Sequence, residues 1–187
     1  MPAQKRPPVF LVGPRCCGKT TLAKLLAERF GLLCNDTDAM VTAEATLSVS
    51  EIVDREGWEA FRQRESRALA AAAVPGTVVA TGGGMVLDPR NRDFMRASGL
   101  VIYLSAPAAL LAERLARDNR NGQTGHGGGA SRRPSLTGDD PEREMARVLA
   151  EREALYQAAA HFCVDASPLP EAVLVNIVAL LEGQSPL

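Results

Sequence analysis

The sequence predicts an α/β fold in which one parallel sheet lies between two layers of helices. Five short apolar segments, too short for core helices and mostly rich in strand-forming residues, alternate with longer segments of helical periodicity. Strands that alternate with helices favour a parallel sheet, because parallel strands need a crossover connection and a helix usually provides it. The 187 residues suit a single domain with a sizeable core.

The first predicted strand, 9–12, leads directly into a glycine loop that fits the pattern G-x-x-x-x-G-K-[ST]. Glycine lets the backbone amides turn toward phosphate oxygens, and the helix that follows directs its positive N-terminus at the same anion. Lys19 can reach the outer phosphates and the Thr20 hydroxyl can ligate Mg²⁺. A chance glycine turn is disfavoured, because both flanks fit. The candidate nucleotide-binding residues here are Gly13, Cys16, Cys17, Gly18, Lys19, Thr20 and Thr21.

The next polar feature is Asp36-Thr37-Asp38, which follows a predicted second strand over 32–35. Two carboxylates two residues apart on an extended chain point to the same side. Near a phosphate loop they can hold Mg²⁺ directly or through water, or accept a proton from a hydroxyl group. A solvated turn or a helix cap produces the same letters. The position after the phosphate loop favours a functional role.

A helix is predicted to begin near Ser48, and a second helix to carry Phe61-Arg62-x-x-Glu65. Residues three apart on a helix are neighbours, so Arg62 and Glu65 can pair. One interpretation is an exposed ion pair that contributes only about 0–1 kcal/mol. The other is a guanidinium that Glu65 holds in place to bind a substrate carboxylate through two parallel hydrogen bonds. Spacing alone leaves both open.

A third strand, 77–81, is followed at once by Gly82, Gly83 and Gly84. Glycines at the carboxyl end of a strand indicate close approach of the backbone to a ligand, because open α/β sheets bind ligands at that edge. A flexible turn is the alternative. A short helix to Ala97, a strand over 100–104 and a helix that starts at Pro107 complete the first part of the core.

Residues 116–139 differ in composition from the rest, with six glycines among asparagine, arginine and serine residues. Such a segment does not pack a core, and its arginines predict a lid that closes over phosphates. A disordered insertion is the alternative; within the segment, Arg132-Arg133-Pro134 is favoured as functional. The remaining predictions are a helix from Asp140, a strand over 162–166 and a helix from Pro170. The core is thus 9–115 and 140–187, with an acceptor-binding region at about 36–70.

Composition excludes several function classes. The net charge is −1 and aromatic residues make up 4%, which disfavours binding of nucleic acid. No apolar run approaches the roughly 20 residues of a membrane span. The four cysteines show no metal-binding spacing, and without a recognisable signal peptide they predict reduced thiols in the cytoplasm. Cys16 and Cys17 lie at a helix N-terminus, which can lower a thiol pKa, so a redox switch is an alternative to simple loop packing. We expect a monomer.

Taken together, these motifs resemble the shikimate kinase family. The resemblance rests on the glycine loop, Asp36-Thr37-Asp38, Phe61-Arg62-x-x-Glu65, Gly82-Gly83-Gly84, Arg133-Pro134 and Arg152-Glu153-Ala154-Leu155-Tyr156, in that order over nearly the whole chain. The local spelling is similar to the family's second isoform, known from enteric bacteria. Two features depart from the usual pattern: the segment 116–139 is longer and richer in glycine, and Ser135-Leu136 replaces Leu-Leu.

The resemblance implies a five-stranded parallel sheet with nucleoside-monophosphate-kinase topology and a mobile lid. It implies Mg²⁺-dependent transfer of the ATP γ-phosphoryl group to the 3-hydroxyl of shikimate, on the route to aromatic amino acids. Lys19, Asp38 and Arg133 would be catalytic, although Arg132 can exchange roles with Arg133. Thr20 and Asp36 would handle the metal. Arg114, Arg133 and Pro170 would contact ATP. The shikimate-binding residues would be Asp38, Arg62, Gly82, Gly83, Gly84 and Arg152.

Other function classes remain as alternatives. Gluconate and nucleoside-monophosphate kinases share the phosphate loop, and gluconate also carries a carboxylate. A GTPase-type switch would need an Asn-Lys-x-Asp run, which the sequence lacks; Asp54-Arg55-Glu56-Gly57 fits D-x-x-G but lies in a helical pattern. A non-catalytic nucleotide-binding switch is disfavoured, because Asp38 and Arg62 are residues suited to an acceptor.

Overall fold

The computed structural model describes residues 6–120 and 141–183. Its elements, in chain order, are β1 (Val9–Val12), α1 (Lys19–Phe30), β2 (Leu33–Asp36), α2 (Thr37–Ala45), α3 (Val49–Ala72), β3 (Thr77–Ala80), a 3₁₀ turn (Met85–Leu87), α4 (Pro89–Ser98), β4 (Leu100–Ser105), α5 (Ala108–Arg120), α6 (Pro141–Ala159), β5 (Phe162–Asp165) and α7 (Pro170–Gly183). No helix in the described ranges combines the length and apolar content that crossing a bilayer requires.

The five strands form one parallel sheet in the order β2-β3-β1-β4-β5. The predicted α/β fold is therefore confirmed. β1 is central, with β3 on one side and β4 on the other. All carboxyl ends consequently meet at one edge of the sheet, where open α/β sheets bind their ligands. The glycine loop after β1 and the three glycines after β3 are neighbours at this edge.

The two faces of the sheet are each covered by a layer of helices. Val9 and Leu11 belong to one buried cluster, which also holds Leu26 of α1 and Ile177 of α7. Phe10 and Val12 belong to a second cluster, with Leu69, Met95 and Tyr156 from α3, α4 and α6. Successive residues of a strand point to opposite faces. The run of four buried residues in β1 is thus the centre of a three-layer core.

The predicted extended conformation of Asp36-Thr37-Asp38 is wrong. Asp36 ends β2 and is the N-cap of α2, and its Oδ1 accepts hydrogen bonds from the backbone amides of Asp38 and Ala39 at 3.0 and 3.1 Å. Asp38 lies in the first helical turn. The two carboxylates therefore do not point the same way: one caps the helix and the other projects from it.

Helix α3 contains a sharp bend at Gly57, whose φ of 83° and ψ of 169° are not helical. It begins with a capping box, in which the Ser48 hydroxyl accepts from the Glu51 amide and the Glu51 carboxylate accepts from the Ser48 amide. The expectation of two successive helices here is met by two helical segments on either side of Gly57. The D-x-x-G match at Asp54 lies at the end of the first segment, with its glycine at the bend, and does not follow a strand.

The predicted lid begins later than residue 116, because α5 continues to Arg120. Residues 121–140, with Arg132 and Arg133, lie outside the described ranges, so the predicted lid and its phosphate-binding arginine stay predictions.

Candidate active site

The loop after β1 adopts the backbone conformation that an anion requires. Gly13 and Gly18 have positive φ, 148° and 97°, and so does Cys16 at 61°. Such turns direct successive amides into a concave surface that binds phosphate oxygens. The Lys19 ammonium lies across the loop and donates to the carbonyl oxygens of Gly13 at 2.9 Å and Pro14 at 2.6 Å. The loop thus presents amides and one ammonium at the N-terminus of α1.

The two loop cysteines occupy different environments. Cys17 is 1% exposed and packs beneath the loop, where its sulfur lies 3.6 Å from the Lys19 ammonium. Burial raises the pKa of the Cys16 thiol, against the weaker opposing effect of Arg15. Desolvation of the thiolate outweighs the favourable charges at Cys16, which disfavours the alternative of a redox switch there.

Thr20 and Asp36 are joined directly. The Thr20 hydroxyl donates to Asp36 Oδ2 at 2.7 Å, across the start of α1 and the start of α2. A hydroxyl and a carboxylate beside a phosphate loop are the hard oxygen ligands that Mg²⁺ takes. The described residues contain no group of three or more histidine, cysteine or acidic side chains able to hold a metal by themselves. The pair therefore suits a metal ion that shares its coordination with phosphate and water.

Asp38 lies against the first glycine after β3. A methyl group on Gly82 would come within 2.5 Å of Asp38 Oδ1 and 2.8 Å of Glu65 Oε1, so only glycine fits between these carboxylates. The Gly82 amide donates to the buried Thr37 hydroxyl at 3.0 Å. Thr37, between the two aspartates, fixes the glycine segment against α2. Asp38 thus projects toward the backbone that follows β3.

Arg62 and Glu65 form an ion pair that is not exposed. The Glu65 side chain is 3% exposed and the Arg62 side chain 28%. A buried carboxylate needs a partner, so Glu65 and Arg62 hold each other in place. A methyl group on Gly84 would come within 2.7 Å of Arg62 Cζ. The guanidinium therefore rests directly on the glycine backbone, which excludes the interpretation as a solvent-exposed pair.

Arg152 reaches the same backbone from α6. Its Nη1 donates to the Gly83 carbonyl at 3.4 Å, and the Tyr156 hydroxyl donates to the same oxygen at 2.7 Å. The Nε of Arg152 is buried and has no hydrogen-bond partner among the described residues. A buried donor of this kind calls for an acceptor, and a ligand carboxylate is a suitable one.

A cavity joins these groups. It lies between the phosphate loop, α3 and α6, and its walls combine apolar side chains with three guanidinium groups and one carboxylate. The lining residues are Arg15, Val49, Ser50, Val53, Trp58, Phe61, Arg62, Glu65, Gly83, Gly84 and Arg152. A mostly apolar cleft with a few convergent charges is typical of a small-molecule site.

The two residues expected near adenine lie at one end of the sheet. Arg114 of α5 donates to the Ser167 carbonyl at 2.9 Å. Ser167 belongs to the loop after β5 that leads into α7 at Pro170. The contact joins Arg114 to the loop that leads into α7, and adenine binding by Arg114 and Pro170 stays a prediction.

Sequence reasoning assigned no role to several residues of the site, among them Arg15, Trp58 and Tyr156. Arg15 and Trp58 line the cavity, and Tyr156 holds the Gly83 carbonyl. Tyr156 is part of the Arg152–Tyr156 run, so its position in the motif was a usable signal. Arg15 and Trp58 carry no local pattern that separates them from ordinary loop and helix residues.

A model of a protein family described as shikimate kinase matches residues 15–182. The chain belongs to the shikimate kinase family. Among its relatives, a protein named shikimate kinase 2 from Syntrophotalea carbinolica is 50% identical over 177 residues, which cover 95% of this chain and 98% of the relative. Shikimate kinase 2 from Enterobacter sp. (strain 638) is 49% identical over 174 residues, which cover 93% and 95%.

Solved structures of the family share the fold. The shikimate kinase from Acinetobacter baumannii, solved in complex with shikimate, superposes with a TM-score of 0.84 at 30% identity and covers 96% of this chain and 95% of that one. The enzyme from Bacteroides thetaiotaomicron has a TM-score of 0.79 at 25% identity, with coverage of 94% and 98%. The expected family and its fold are both confirmed.

Proposed function

We propose that this chain transfers the γ-phosphoryl group of ATP to the 3-hydroxyl of shikimate and releases ADP and 3-phosphoshikimate. The observation that carries the proposal is the placement of Arg62 and Arg152, from two different helices, on adjacent glycines beside the phosphate loop. Membership of the shikimate kinase family, and likeness to a relative solved with shikimate, support the same assignment.

The acceptor is held by its carboxylate. Arg62 and Arg152 line one cavity, and Arg62 is already fixed by Glu65, so a carboxylate between the two guanidinium groups gains charge-assisted hydrogen bonds without ordering flexible side chains. The glycines Gly82 to Gly84 let the ring approach the backbone closely.

The nucleotide lies on the loop between Gly13 and Thr20. Amides and the Lys19 ammonium offset the charge of the outer phosphates, and the residues that suit Mg²⁺ are Thr20 and Asp36. When bound, this ion neutralises charge on the phosphate oxygens. Phosphoryl transfer through a loose transition state needs mostly alignment and charge neutralisation, which these groups supply.

Asp38 orients the acceptor hydroxyl and accepts its proton. Its carboxylate lies at Gly82, as does that of Glu65, which pairs with Arg62. A positioned base of this kind contributes about 10²- to 10⁴-fold to the rate. The predicted lid, in the part of 116–139 that follows α5, closes over the phosphates, where Arg133 adds positive charge and the closure excludes water. Arg114 and Pro170 bracket the adenine.

The assignment is tested by an ADP-release assay in which shikimate, gluconate and AMP are offered in parallel with ATP and Mg²⁺. Shikimate alone should give rapid ADP release, and omission of Mg²⁺ should abolish it. Rapid turnover of gluconate or AMP, with none of shikimate, would show that the chain is a kinase with a different acceptor from the one proposed. No ADP with any acceptor would leave a nucleotide-binding protein without transfer activity.

We further propose that the chain acts as a monomer in the cytoplasm. Its four cysteines are free thiols, which suits a reducing compartment. Light scattering coupled to gel filtration should give a mass near 19.9 kDa, and a dimer mass would overturn the monomer.

A further inference from the structure

Helix α3 contributes two walls of the acceptor cavity, one from the segment before the bend at Gly57 and one from the segment after it. Val49, Ser50 and Val53 line the cavity from the segment before Gly57. Trp58, Phe61, Arg62 and Glu65 line it from the segment after Gly57. The width of the cavity therefore depends on the angle at Gly57, whose backbone lies in the region that glycine alone adopts freely.

A cluster of charged side chains spans this bend on the side away from the cavity. We define the Arg64 cluster as Arg64, Glu56 and Glu44. Arg64 Nε donates to Glu56 Oε2 at 3.1 Å and its Nη2 to Glu56 Oε1 at 3.0 Å, which is a bidentate pair. Arg64 Nη1 also lies 3.6 Å from Glu44 Oε1 of α2. Arg64 is not among the described residues that line the cavity.

The pairing depends on the bend. Glu56 and Arg64 are eight residues apart, so in an unbroken helix they would be separated by about 12 Å along the axis. Only the change of direction at Gly57 brings the carboxylate onto the guanidinium fork. The Arg64 side chain is 20% exposed and that of Glu56 34%. Partly buried bidentate pairs are screened less than exposed ones, so this pair restrains the bend more than a surface ion pair does.

We propose that Arg64 is a positioning residue for the acceptor: by binding Glu56 across Gly57 and Glu44 on α2, it holds the two walls of the cavity at the separation that shikimate requires. This inference rests on the proposed function of the cavity. Arg64 contacts neither substrate. Its removal should let the 49–53 segment move away from Phe61 and Arg62, which costs affinity for the acceptor and leaves the nucleotide loop unchanged.

Binding can be measured without turnover, because Trp58 is the only tryptophan and lines the cavity. Titration of shikimate against Trp58 fluorescence would be compared for the wild-type chain and for Arg64→Ala, Arg64→Lys and Glu56→Gln. The matched control is Arg67→Ala, because Arg67 also lies near Glu44, at 3.9 Å, but is 65% exposed and does not reach Glu56. Steady-state KM values for shikimate and ATP, and melting temperatures, complete the set.

Arg64→Ala should raise the Kd and KM for shikimate by about 5-fold or more, with the KM for ATP within about 2-fold of wild type. The Kd and KM of Arg64→Lys for shikimate should lie between those of the wild-type chain and of Arg64→Ala, because an ammonium keeps the charge but cannot form the bidentate pair. The double variant Arg64→Ala with Glu56→Gln should bind shikimate no more weakly than Arg64→Ala, because the two substitutions remove the same ion pair. Arg67→Ala should have the same Kd and KM for shikimate as the wild-type chain.

The inference is overturned if Arg64→Ala binds shikimate as wild type does, if Arg67→Ala loses as much affinity, or if the KM for ATP rises equally. If Arg64→Ala does not fold, the inference is judged on Arg64→Lys and Glu56→Gln: it is overturned if both bind shikimate as wild type does, or if their KM for ATP rises equally. A wild-type chain that gives neither a fluorescence change nor ADP with shikimate overturns the proposed function, and this inference with it.

Discussion

The hydroxyl of Tyr156 donates a hydrogen bond of 2.7 Å to the carbonyl oxygen of Gly83. Burial raises the pKa of Tyr156, so the hydroxyl remains a donor at every physiological pH. The tyrosine thereby connects the core directly to the glycine segment that Arg62 and Arg152 contact. The buried core thus holds the glycine segment of the acceptor site in place through Tyr156, in addition to the contacts made by the cavity walls.

Tyr156→Phe should destabilise the chain and weaken acceptor binding. Loss of this buried hydrogen bond should lower the free energy of unfolding by about 1 kcal/mol, and the KM for shikimate should rise while the KM for ATP stays the same. Urea unfolding and steady-state kinetics measure the two effects. Tyr103→Phe is the matched control, since its hydroxyl binds Glu153 rather than Gly83: it should reduce stability alone. Equal KM effects of both variants would contradict a specific role for Tyr156.

Asp38→Asn should lower turnover by at least about 10²-fold and leave the affinity for ATP intact, because the amide keeps the shape but accepts no proton. Single-turnover rates and ATP binding measure the two effects separately. Asp54→Asn, on the exposed side of α3, should behave as wild type. Near-normal turnover of Asp38→Asn would exclude the aspartate as the base.

Thr20→Val should raise the Mg²⁺ concentration needed for half-maximal activity. The change removes the hydroxyl that binds Asp36 but keeps the shape of the side chain. Thr20→Ser keeps the hydroxyl and should need Mg²⁺ as wild type does. A titration of activity against Mg²⁺ at fixed ATP separates the two variants, and identical curves for all three chains would place the metal elsewhere.

Gly84→Ala should impair the acceptor site rather than the fold. The added methyl group would meet the guanidinium of Arg62, which can move because it is the end of a flexible side chain. We expect a higher KM for shikimate, an unchanged KM for ATP and a small change in melting temperature. Gly183→Ala, where a methyl group meets nothing within 4 Å, controls for the general effect of the substitution. Unaltered shikimate kinetics would show that Arg62 does not depend on its contact with Gly84.

The chain should lose some stability below pH 7 through His161. Its Nδ1 accepts a hydrogen bond from the Val101 amide at 3.0 Å, and burial, with a smaller effect of Arg96, lowers its pKa below the ordinary 6.5. Between the lowered pKa and 6.5 the unfolded chain binds more protons than the folded chain, so stability rises with pH in that window. The effect is small, because the imidazole is largely exposed. His161→Asn should show a smaller drop in melting temperature between pH 7.5 and 5.5, and an equal drop would exclude His161.

The sequence predicted the sheet well because each strand is a local signal. Val9–Val12 and Leu100–Leu104 are apolar runs bounded by glycine or proline, and the structure has strands at both places. Helix α2 was missed, since it is nine residues long and buries only Thr37 and Val41, which gives no apolar stripe. A helix that short is decided by its cap at Asp36 and by packing on α3.

The sequence predicted which residues belong to the site, but not how their side chains are placed relative to one another. Spacing placed Arg62 next to Glu65, but it did not show that Glu65 is buried or that the guanidinium rests on Gly84. Both facts depend on contacts between α3 and the segment after β3, which are distant in sequence. The role inferred for Arg64 was beyond sequence reasoning for the same reason: Glu56 and Arg64 meet only because the chain bends at Gly57.

Most of the residues that line the acceptor cavity come from one uninterrupted part of the chain, between Val49 and Glu65, whereas the phosphate loop precedes it. Most of the acceptor wall and most of the phosphate loop are therefore encoded in separate stretches of the gene, and Gly83, Gly84 and Arg152 complete the wall from later ones. A related kinase that keeps Arg152 and the glycine segment can acquire a different carboxylate-bearing substrate by replacing that stretch, and a chimera made at its ends should exchange acceptor preference while it retains the nucleotide.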